Sequence, residues 1–228
     1  MIEIQNLSKT YNYGKKNSFM ALKDINLRID DGEMVAIIGK SGAGKSTLLH
    51  IIGGVDDFEE GTCTIDDTEL SELGESGLAR FRNEKVGVVM QDFALIEDFT
   101  VGENVEIPLR FGKVNKREYK KRIAESLEAV GITELKNKEV SQLSGGQKQR
   151  TAIARAIVND PSFILADEPT GALDTKTGQE IMNLFKSLNE KGRTVIIITH
   201  DPQIAAQCKR QIVIEDGKIV IAKDALMC

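Results

Sequence analysis

Gly39-Lys40-Ser41-Gly42-Ala43-Gly44-Lys45-Ser46, entered directly from Met34-Val35-Ala36-Ile37-Ile38, is the stretch on which the fold turns. It fits G-x-x-x-x-G-K-[ST], a spacing whose backbone N–H groups wrap phosphate oxygens. The five apolar residues before it show no polar alternation, as expected of a strand covered on both faces. Ser46 to Ile52 read as the helix that follows. Gly39, Gly42 and Gly44 let the chain turn tightly and bring its amides close to an anion. Lys45 is placed to reach β- and γ-phosphates, and the Ser46 hydroxyl to ligate Mg²⁺. A purely structural glycine turn is the competing reading, but such a spacing recurs by accident in only about one chain of this length in a hundred.

Outward from the loop, Phe163-Ile164-Leu165-Ala166 and Val195-Ile196-Ile197-Ile198 read as two further buried strands. Between them Ile181, Leu184, Phe185 and Leu188 recur at i, i+3, i+4 and i+7, one face of an amphipathic helix. Strands alternating with helices predict a parallel sheet with crossovers. Alternation in Ile2 to Leu7 and in Ile25 to Ile29 predicts half-buried antiparallel strands. Glu215-Asp216-Gly217-Lys218 is a hairpin signal. Residues 92–158 look different. Tyr119, Ile123, Leu127 and Val130 mark one helix and Ala152, Ile153, Ala156 and Ile157 another, with no good strand between. The expectation is a single α/β domain over 1–228. Residues 1–91 and 159–228 form its core, with an N-terminal antiparallel β part, and 92–158 an inserted helical subdomain.

Asp167 and Glu168 end an apolar strand, at the edge where ligands of open α/β sheets bind. An aspartate there can hold a magnesium shell, and the adjacent glutamate can accept a proton from an attacking water. An acidic turn is the plain alternative; the phosphate loop upstream favours function. Leu143-Ser144-Gly145-Gly146-Gln147 is a second glycine-rich turn opening a helix, itself a place for anions. Ser144 and Gln147 satisfy the capping-box pattern, but capping does not call for two glycines in a first turn, where they weaken a helix. A phosphate approaching the bare backbone would explain them. One chain thus carries two phosphate-seeking surfaces and only one complete nucleotide loop, which suggests that the site is finished by a second copy. Gln91 and His200 each follow a strand and are anonymous alone, and His50 is assigned no role.

Hydrophobic residues at 41% and charged residues at 29% are ordinary for a soluble globular chain. A net charge of −5 gives no overall field toward nucleic acid. The basic run of Lys113, Lys116, Arg117, Lys120, Lys121 and Arg122 reads first as the solvated face of a helix. Cys63, Cys208 and Cys228 show no C-x-x-C spacing, so reduced cytosolic thiols are expected. The longest apolar runs are strand-sized, and Met1-Ile2-Glu3-Ile4 has no signal-peptide character, so no direct membrane insertion is expected.

Taken in order, these pieces resemble the nucleotide-binding domain of ATP-binding cassette (ABC) transporters, a P-loop NTPase fold, over essentially the whole chain. Leu143 to Gln147 matches the family's signature motif. Asp167-Glu168-Pro169-Thr170 with Gly171-Ala172-Leu173-Asp174 matches its magnesium strand and D-loop. The resemblance implies ATP and Mg²⁺ as ligands, and a head-to-tail homodimer with two ATP molecules sandwiched between copies. Each ATP would lie between Gly39, Lys40, Ser41, Gly42, Ala43, Gly44, Lys45, Ser46 and Thr47 of one copy and Ser144, Gly145, Gly146 and Gln147 of the other. Asp174 would stand at that joint. Glu168 would be the general base, His200 would contact the γ-phosphate, and Gln91 would link the metal held by Ser46 and Asp167 to the helical lobe. Tyr11 would stack on adenine, with Tyr13 a weaker candidate.

The resemblance further implies a separate integral-membrane permease, docked in a groove formed by the lobe and Asp92 to Ile96. Phe93, Leu95 and Ile96 are candidates for its apolar contacts or for core packing. The chain would be cytoplasmic, peripheral on the inner face of the cell membrane. Phe81 to Gly87 and Glu103 to Leu109 look like the macrolide-exporter and lipoprotein-releasing group. Met90, Val140 and Lys148 depart from its usual aromatic, proline and glutamine. An ATPase subunit driving export, antimicrobial-peptide or lipoprotein transport, or a regulatory clamp of a cell-division or sensory membrane complex whose ATP cycle signals without moving cargo, would carry the same motifs.

Overall fold

The computed structural model describes residues 1–224. The chain opens with two long strands, β1 (Ile2–Tyr11) and β2 (Phe19–Ile29), turns into β3 (Met34–Ile38), and crosses the glycine loop into α1 (Lys45–Ile52). β4 (Glu60–Ile65) and the two-residue β5 (Thr68–Glu69) follow, and α2 (Glu75–Lys85) leads to β6 (Val86–Val89). Three helices come next: α3 (Val101–Phe111), α4 (Lys116–Ala129) and α5 (Gly145–Ile157). The chain then runs through β7 (Phe163–Asp167), α6 (Thr175–Glu190), β8 (Thr194–Thr199) and the short α7 (Pro202–Ala205) to a hairpin of β9 (Arg210–Glu215) and β10 (Lys218–Asp224).

The strands form two sheets, an antiparallel one ordered β2-β1-β4-β5 and a mixed one ordered β10-β9-β3-β8-β7-β6. The mixed sheet is buried on both faces because its central strands are apolar at consecutive positions, polar only at Asp167, Thr194 and Thr199 at their ends. Met34 and Ala36 of β3, Ile164 and Ala166 of β7, and Val195 and Ile197 of β8 point into a core shared with α3 to α6. Their neighbours Val35, Ile37, Phe163, Leu165, Ile196 and Ile198 point the other way, into a core closed by α1 and the antiparallel sheet. Each fully buried isoleucine contributes about 1.5–3 kcal/mol, so one-residue slips that exchange faces are strongly disfavoured.

Register then decides where chemistry can occur. Ile38 lies opposite Thr199, Asp167 opposite Ile198, and Val89 opposite Ala166, all in parallel pairs. The loop at Gly39, the Asp167-Glu168 pair, His200 and Gln91 therefore leave the same edge of the sheet, within a residue or two of one another. The Glu215–Lys218 hairpin closes through Asp216 (φ 46°) and Gly217 (φ 79°), the double left-handed turn that its sequence favours.

Of the elements that the sequence reading did not anticipate, three bear most on the fold. β4 pairs with β1, Ile4 opposite Cys63, completing the antiparallel sheet. α2 buries only Phe81, so it has almost no apolar stripe to read. α3 carries Pro108 in its last turn, and its start was legible: Thr100 and Glu103 form a reciprocal capping box. Cys63 and Cys208 are buried free thiols, each pushed up to about 12 by burial and hence protonated at neutral pH. Cys228 lies outside the described residues. Among the described residues, no helix is long and apolar enough to cross a membrane.

Candidate functional site

Gly44 caps α1 with φ 103° and no side-chain acceptor, so the first-turn amides of the helix are left for another partner. A Cβ at Gly44 would lie 2.6 Å from the Ala21 carbonyl oxygen, so the loop is pressed against β2 where no side chain fits. Lys45 is buried along its stem, and its Nζ donates to the carbonyls of Gly39 (2.8 Å) and Lys40 (2.9 Å). The ammonium is thereby held over the concave side of its own loop. Such a loop, with uncapped first-turn amides and a fixed cation, has the make-up of a polyanion cradle.

Ser46 Oγ lies 3.5 Å from Asp167 Oδ2, so the first turn of α1 and the end of β7 meet. A hydroxyl and a carboxylate at this separation are hard oxygen donors, which fit a magnesium ion that keeps waters and takes phosphate oxygens as its remaining ligands. Burial, and next the charge of Glu168, raise the Asp167 pKa; His50, Lys45 and the Ser46 hydroxyl oppose the shift. A bound cation would favour the ionised form.

Glu168 has φ 45°, a left-handed conformation that is uncommon outside glycine and is stored where structure over-determines it. Its amide donates to the Ile198 carbonyl at 2.9 Å, which stitches β7 to β8 at the point of strain. Oε1 accepts from the His200 amide (3.0 Å) and lies 2.6 Å from His200 Nδ1, while Oε2 accepts from Thr199 Oγ1 (3.2 Å). The Glu168 side chain is only 16% exposed, whereas His200 is 75% exposed. The carboxylate is thus aimed by three groups at the end of β8. Thr199 was not anticipated; nothing in its local sequence distinguishes it from any strand-terminal threonine.

Gln91 is exposed just beyond β6, and its amide end lies 3.0 Å from where a Gly171 Cβ would stand, against the segment after Glu168. Phe93 and Ala94, which follow, are both left-handed (φ 64° and 47°). Arg155, near the C-terminal end of α5, donates to the Ala94 carbonyl (2.5 Å) and the Phe93 carbonyl (3.0 Å). Burial lowers its pKa, with Asp92 opposing. At the other end of the same helix the fully buried Gln149 donates to the Pro169 carbonyl at 2.6 Å, one residue past Glu168. Lys148 pairs with Glu97 at 2.9 Å, which gives this departure from the family pattern a partner. Sequence reading missed Arg155 and Gln149, because their partners are backbone carbonyls far along the chain.

Ser144 caps α5: its Oγ accepts from the Gln147 amide (3.4 Å), and Gln147 Oε1 accepts from the Ser144 amide (3.0 Å). Ser144 is exposed. The two glycines between them also have a packing reason that the sequence did not disclose. A Cβ on Gly145 would stand 3.2 Å from Leu173 Cδ2, and one on Gly146 2.6 Å from Thr177 Cγ2. Asp174 caps α6, accepting from the amide (3.0 Å) and hydroxyl (2.6 Å) of Thr177, and those bonds hold its carboxyl below the usual range. Ser144 to Gln147, Leu173 and Asp174 line one cleft of about 330 Å³, and no residue of Gly39–Ser46 lines it.

Gly146→Ala is therefore expected to lose about 1–3 kcal/mol of stability through overpacking. Thr177→Ser, which removes Cγ2 and keeps the hydroxyl on Asp174, should return most of it. Thermal unfolding of the single and double variants measures this. Absence of rescue would mean that the glycine answers to something other than its own chain.

Tyr11 is half-buried beside Thr47, and Tyr13 is 78% exposed. On the outer side of β6, a groove of about 770 Å³ is lined by Val88, Met90, Ile107, Pro108 and Phe111, with Arg80, Arg82, Lys113 and Arg155 among its polar walls. Phe111 is 80% exposed. Of the residues expected to supply apolar contacts, Leu95 packs against the core, Phe93 is half-buried and Ile96 is exposed, and none of them lines this groove. The groove is assembled from α2, β6, α3 and α5, which no local pattern connects.

The sequence matches the ABC transporter family over residues 22–171. It is 48% identical over 221 residues to the ABC transporter ATP-binding protein YvrO of Bacillus subtilis (strain 168), covering 97% of this chain and 96% of that one. It is 45% identical over 220 residues to the macrolide export ATP-binding/permease protein MacB of Salmonella choleraesuis (strain SC-B67). That match covers 96% of this chain and 34% of MacB. Among solved structures, a dimeric post-hydrolysis state of the ATP-binding cassette MJ0796 bound to ADP and Pi superposes with a TM-score of 0.88 at 44% identity. It covers 99% of both chains, and MJ0796 comes from Methanocaldococcus jannaschii.

Proposed function

Because the chain belongs to the ABC transporter family, as an ATP-binding and ATP-hydrolysing cassette, we propose that it energises a separate membrane permease by closing into an ATP-bridged homodimer. The observation that carries this reading is the division of its phosphate-seeking groups. The sheet edge gathers Lys45, Ser46, Asp167, Glu168 and His200, while the exposed Ser144 and the half-buried Gly145, Gly146 and Gln147 stand at the start of another helix, lining a cleft without the loop. A second copy turned head to tail brings the two sets to one triphosphate.

In this reading the amides of Gly39 to Thr47 and the Lys45 ammonium hold the β- and γ-phosphates, and Tyr11 carries the adenine. Ser46, Asp167 and Gln91 are the residues that would hold a magnesium ion, which would supply neutralising charge to the phosphates. Glu168 takes the proton of a water as that water's oxygen bonds to the γ-phosphorus and the bond to ADP breaks. His200 both aims the carboxylate and faces the γ-phosphate. Ser144 and the amides at the start of α5, from the partner copy, stabilise the charge that accumulates there.

The apolar groove with basic walls suits a short cytoplasmic helix of the permease, and the match to a relative named a macrolide export ATP-binding/permease protein supports an export-type partner. α5 ties that groove to the ATP site, through Arg155 at one end and Gln149 and Ser144 at the other. Val88→Asp, which places a charge in the groove floor, is expected to reduce ATP-dependent cargo movement by the reconstituted permease complex at least about tenfold. ATP affinity of the free chain serves as the control. Unchanged transport would contradict this docking surface. An intact complex that hydrolyses ATP and moves no cargo would establish the regulatory clamp instead.

A further inference from the structure

A buried lysine stands beside the nucleotide loop without a part in the chemistry above. Lys9 of β1 has a side chain only 6% exposed, and its Nζ lies 3.3 Å from Asp56, 3.4 Å from Glu59 and in contact with Asp57. The same ammonium sits 5.2 Å from the centre of the Tyr11 ring. Tyr11 donates its hydroxyl to Asp56 Oδ2 at 2.5 Å, and that hydroxyl lies 3.5 Å from Thr47 Oγ1, one residue past Ser46. Asp56 is itself fixed. Gly54 turns the chain left-handed after α1, and the amides of Val55 and Asp56 return to the His50 carbonyl at 2.8 and 3.3 Å.

An ammonium is buried at a cost unless carboxylates surround it, and Asp56, Asp57 and Glu59 gather on Lys9 to meet that need. The cluster holds Tyr11 at two points, one at the hydroxyl and one across a face of the ring. A cation at that distance leaves the opposite face of the ring for another flat partner. Burial and the Asp56 hydrogen bond also raise the Tyr11 pKa.

We propose that Asp56 and Lys9 are positioning residues for nucleotide recognition, holding Tyr11 in the pose that receives the base before ATP arrives. The inference rests on the reading of Tyr11 as the stacking residue. Its physical content is preorganisation: a ring already ordered does not need to be ordered at binding. Aromatic stacking is tolerant of base identity, so the device sets affinity for the base relative to the phosphates.

The test measures dissociation constants of the full chain for the β,γ-imido analogue of ATP and for inorganic tripolyphosphate. Tyr11→Ala is expected to weaken the analogue at least about tenfold. Tyr11→Phe and Asp56→Ala should each weaken it about 3–10-fold, the double variant being no weaker than the worse single one. Tripolyphosphate affinity should stay within about twofold throughout, since it binds without a base. If Tyr11→Ala lowers the ratio of the two affinities and Tyr11→Phe does not, stacking stands and the positioning role falls. If Tyr11→Ala leaves the ratio unchanged, the stacking reading itself fails. Equal weakening of both ligands by Asp56→Ala would assign Asp56 to the fold alone. Tyr11→Phe, which removes only the hydroxyl, decides the matter should Asp56→Ala not fold.

Discussion

Glu168→Gln is expected to bind ATP within about threefold of the parent while turnover falls about 10²–10⁴-fold, the range typical of a lost general base. The substitution keeps the side-chain volume and one oxygen, which can still accept from the His200 amide or from Thr199. The left-handed backbone at Glu168 is unaffected, because the amide bond to Ile198 remains. What is lost is the proton acceptor that His200 and Thr199 aim. Single-turnover hydrolysis with saturating ATP isolates this step from product release. A residual rate within a few-fold of the parent would remove Glu168 from the role of base and leave water positioning to other groups at the sheet edge.

Ser144→Asp is expected to abolish turnover just as deeply through a different route. Aspartate is as good a helix cap as serine, so α5 should keep its start and the chain its stability. The new carboxylate, however, would face the triphosphate held by the other copy, and like charges brought together at an interface cost several kcal/mol. Turnover should therefore fall at least about 10²-fold while each separate chain still binds ATP in its own loop. Thermal unfolding and steady-state hydrolysis together distinguish this from simple loss of fold. An active Ser144→Asp variant would mean that Ser144 never meets a nucleotide.

Much of this arrangement could be read from local sequence, for physical reasons. β3, β7 and β8 are apolar at consecutive positions because both of their faces are covered, as a central parallel strand requires. The phosphate loop was legible because tight backbone approach requires glycine, as the Ala21 carbonyl oxygen, 2.6 Å from where a Gly44 Cβ would stand, shows. α6 has a broad apolar face and so a clean helical period. α2, by contrast, buries Phe81 alone, and α3 went unread although Thr100 and Glu103 advertise its start.

The less visible parts of the site depend on register and long-range contact. Thr199 aims Glu168 only because Asp167 pairs with Ile198. Gln149 and Arg155 act on carbonyls of Pro169, Phe93 and Ala94, which no side-chain pattern announces. The groove beside Val88 and Phe111 belongs to four elements at once. The glycines after Ser144 had been accounted for by phosphate alone, yet Leu173 and Thr177 press on both.

Sedimentation of the Glu168→Gln variant with and without magnesium and ATP tests most directly whether one chain supplies both halves of the site. The mass should double when ATP is added, and adding Ser144→Asp to the same variant should hold it at one chain with its loop still occupied. Doubling that survives aspartate at position 144, or a Glu168→Gln variant that saturates with ATP and stays single, would contradict the shared site.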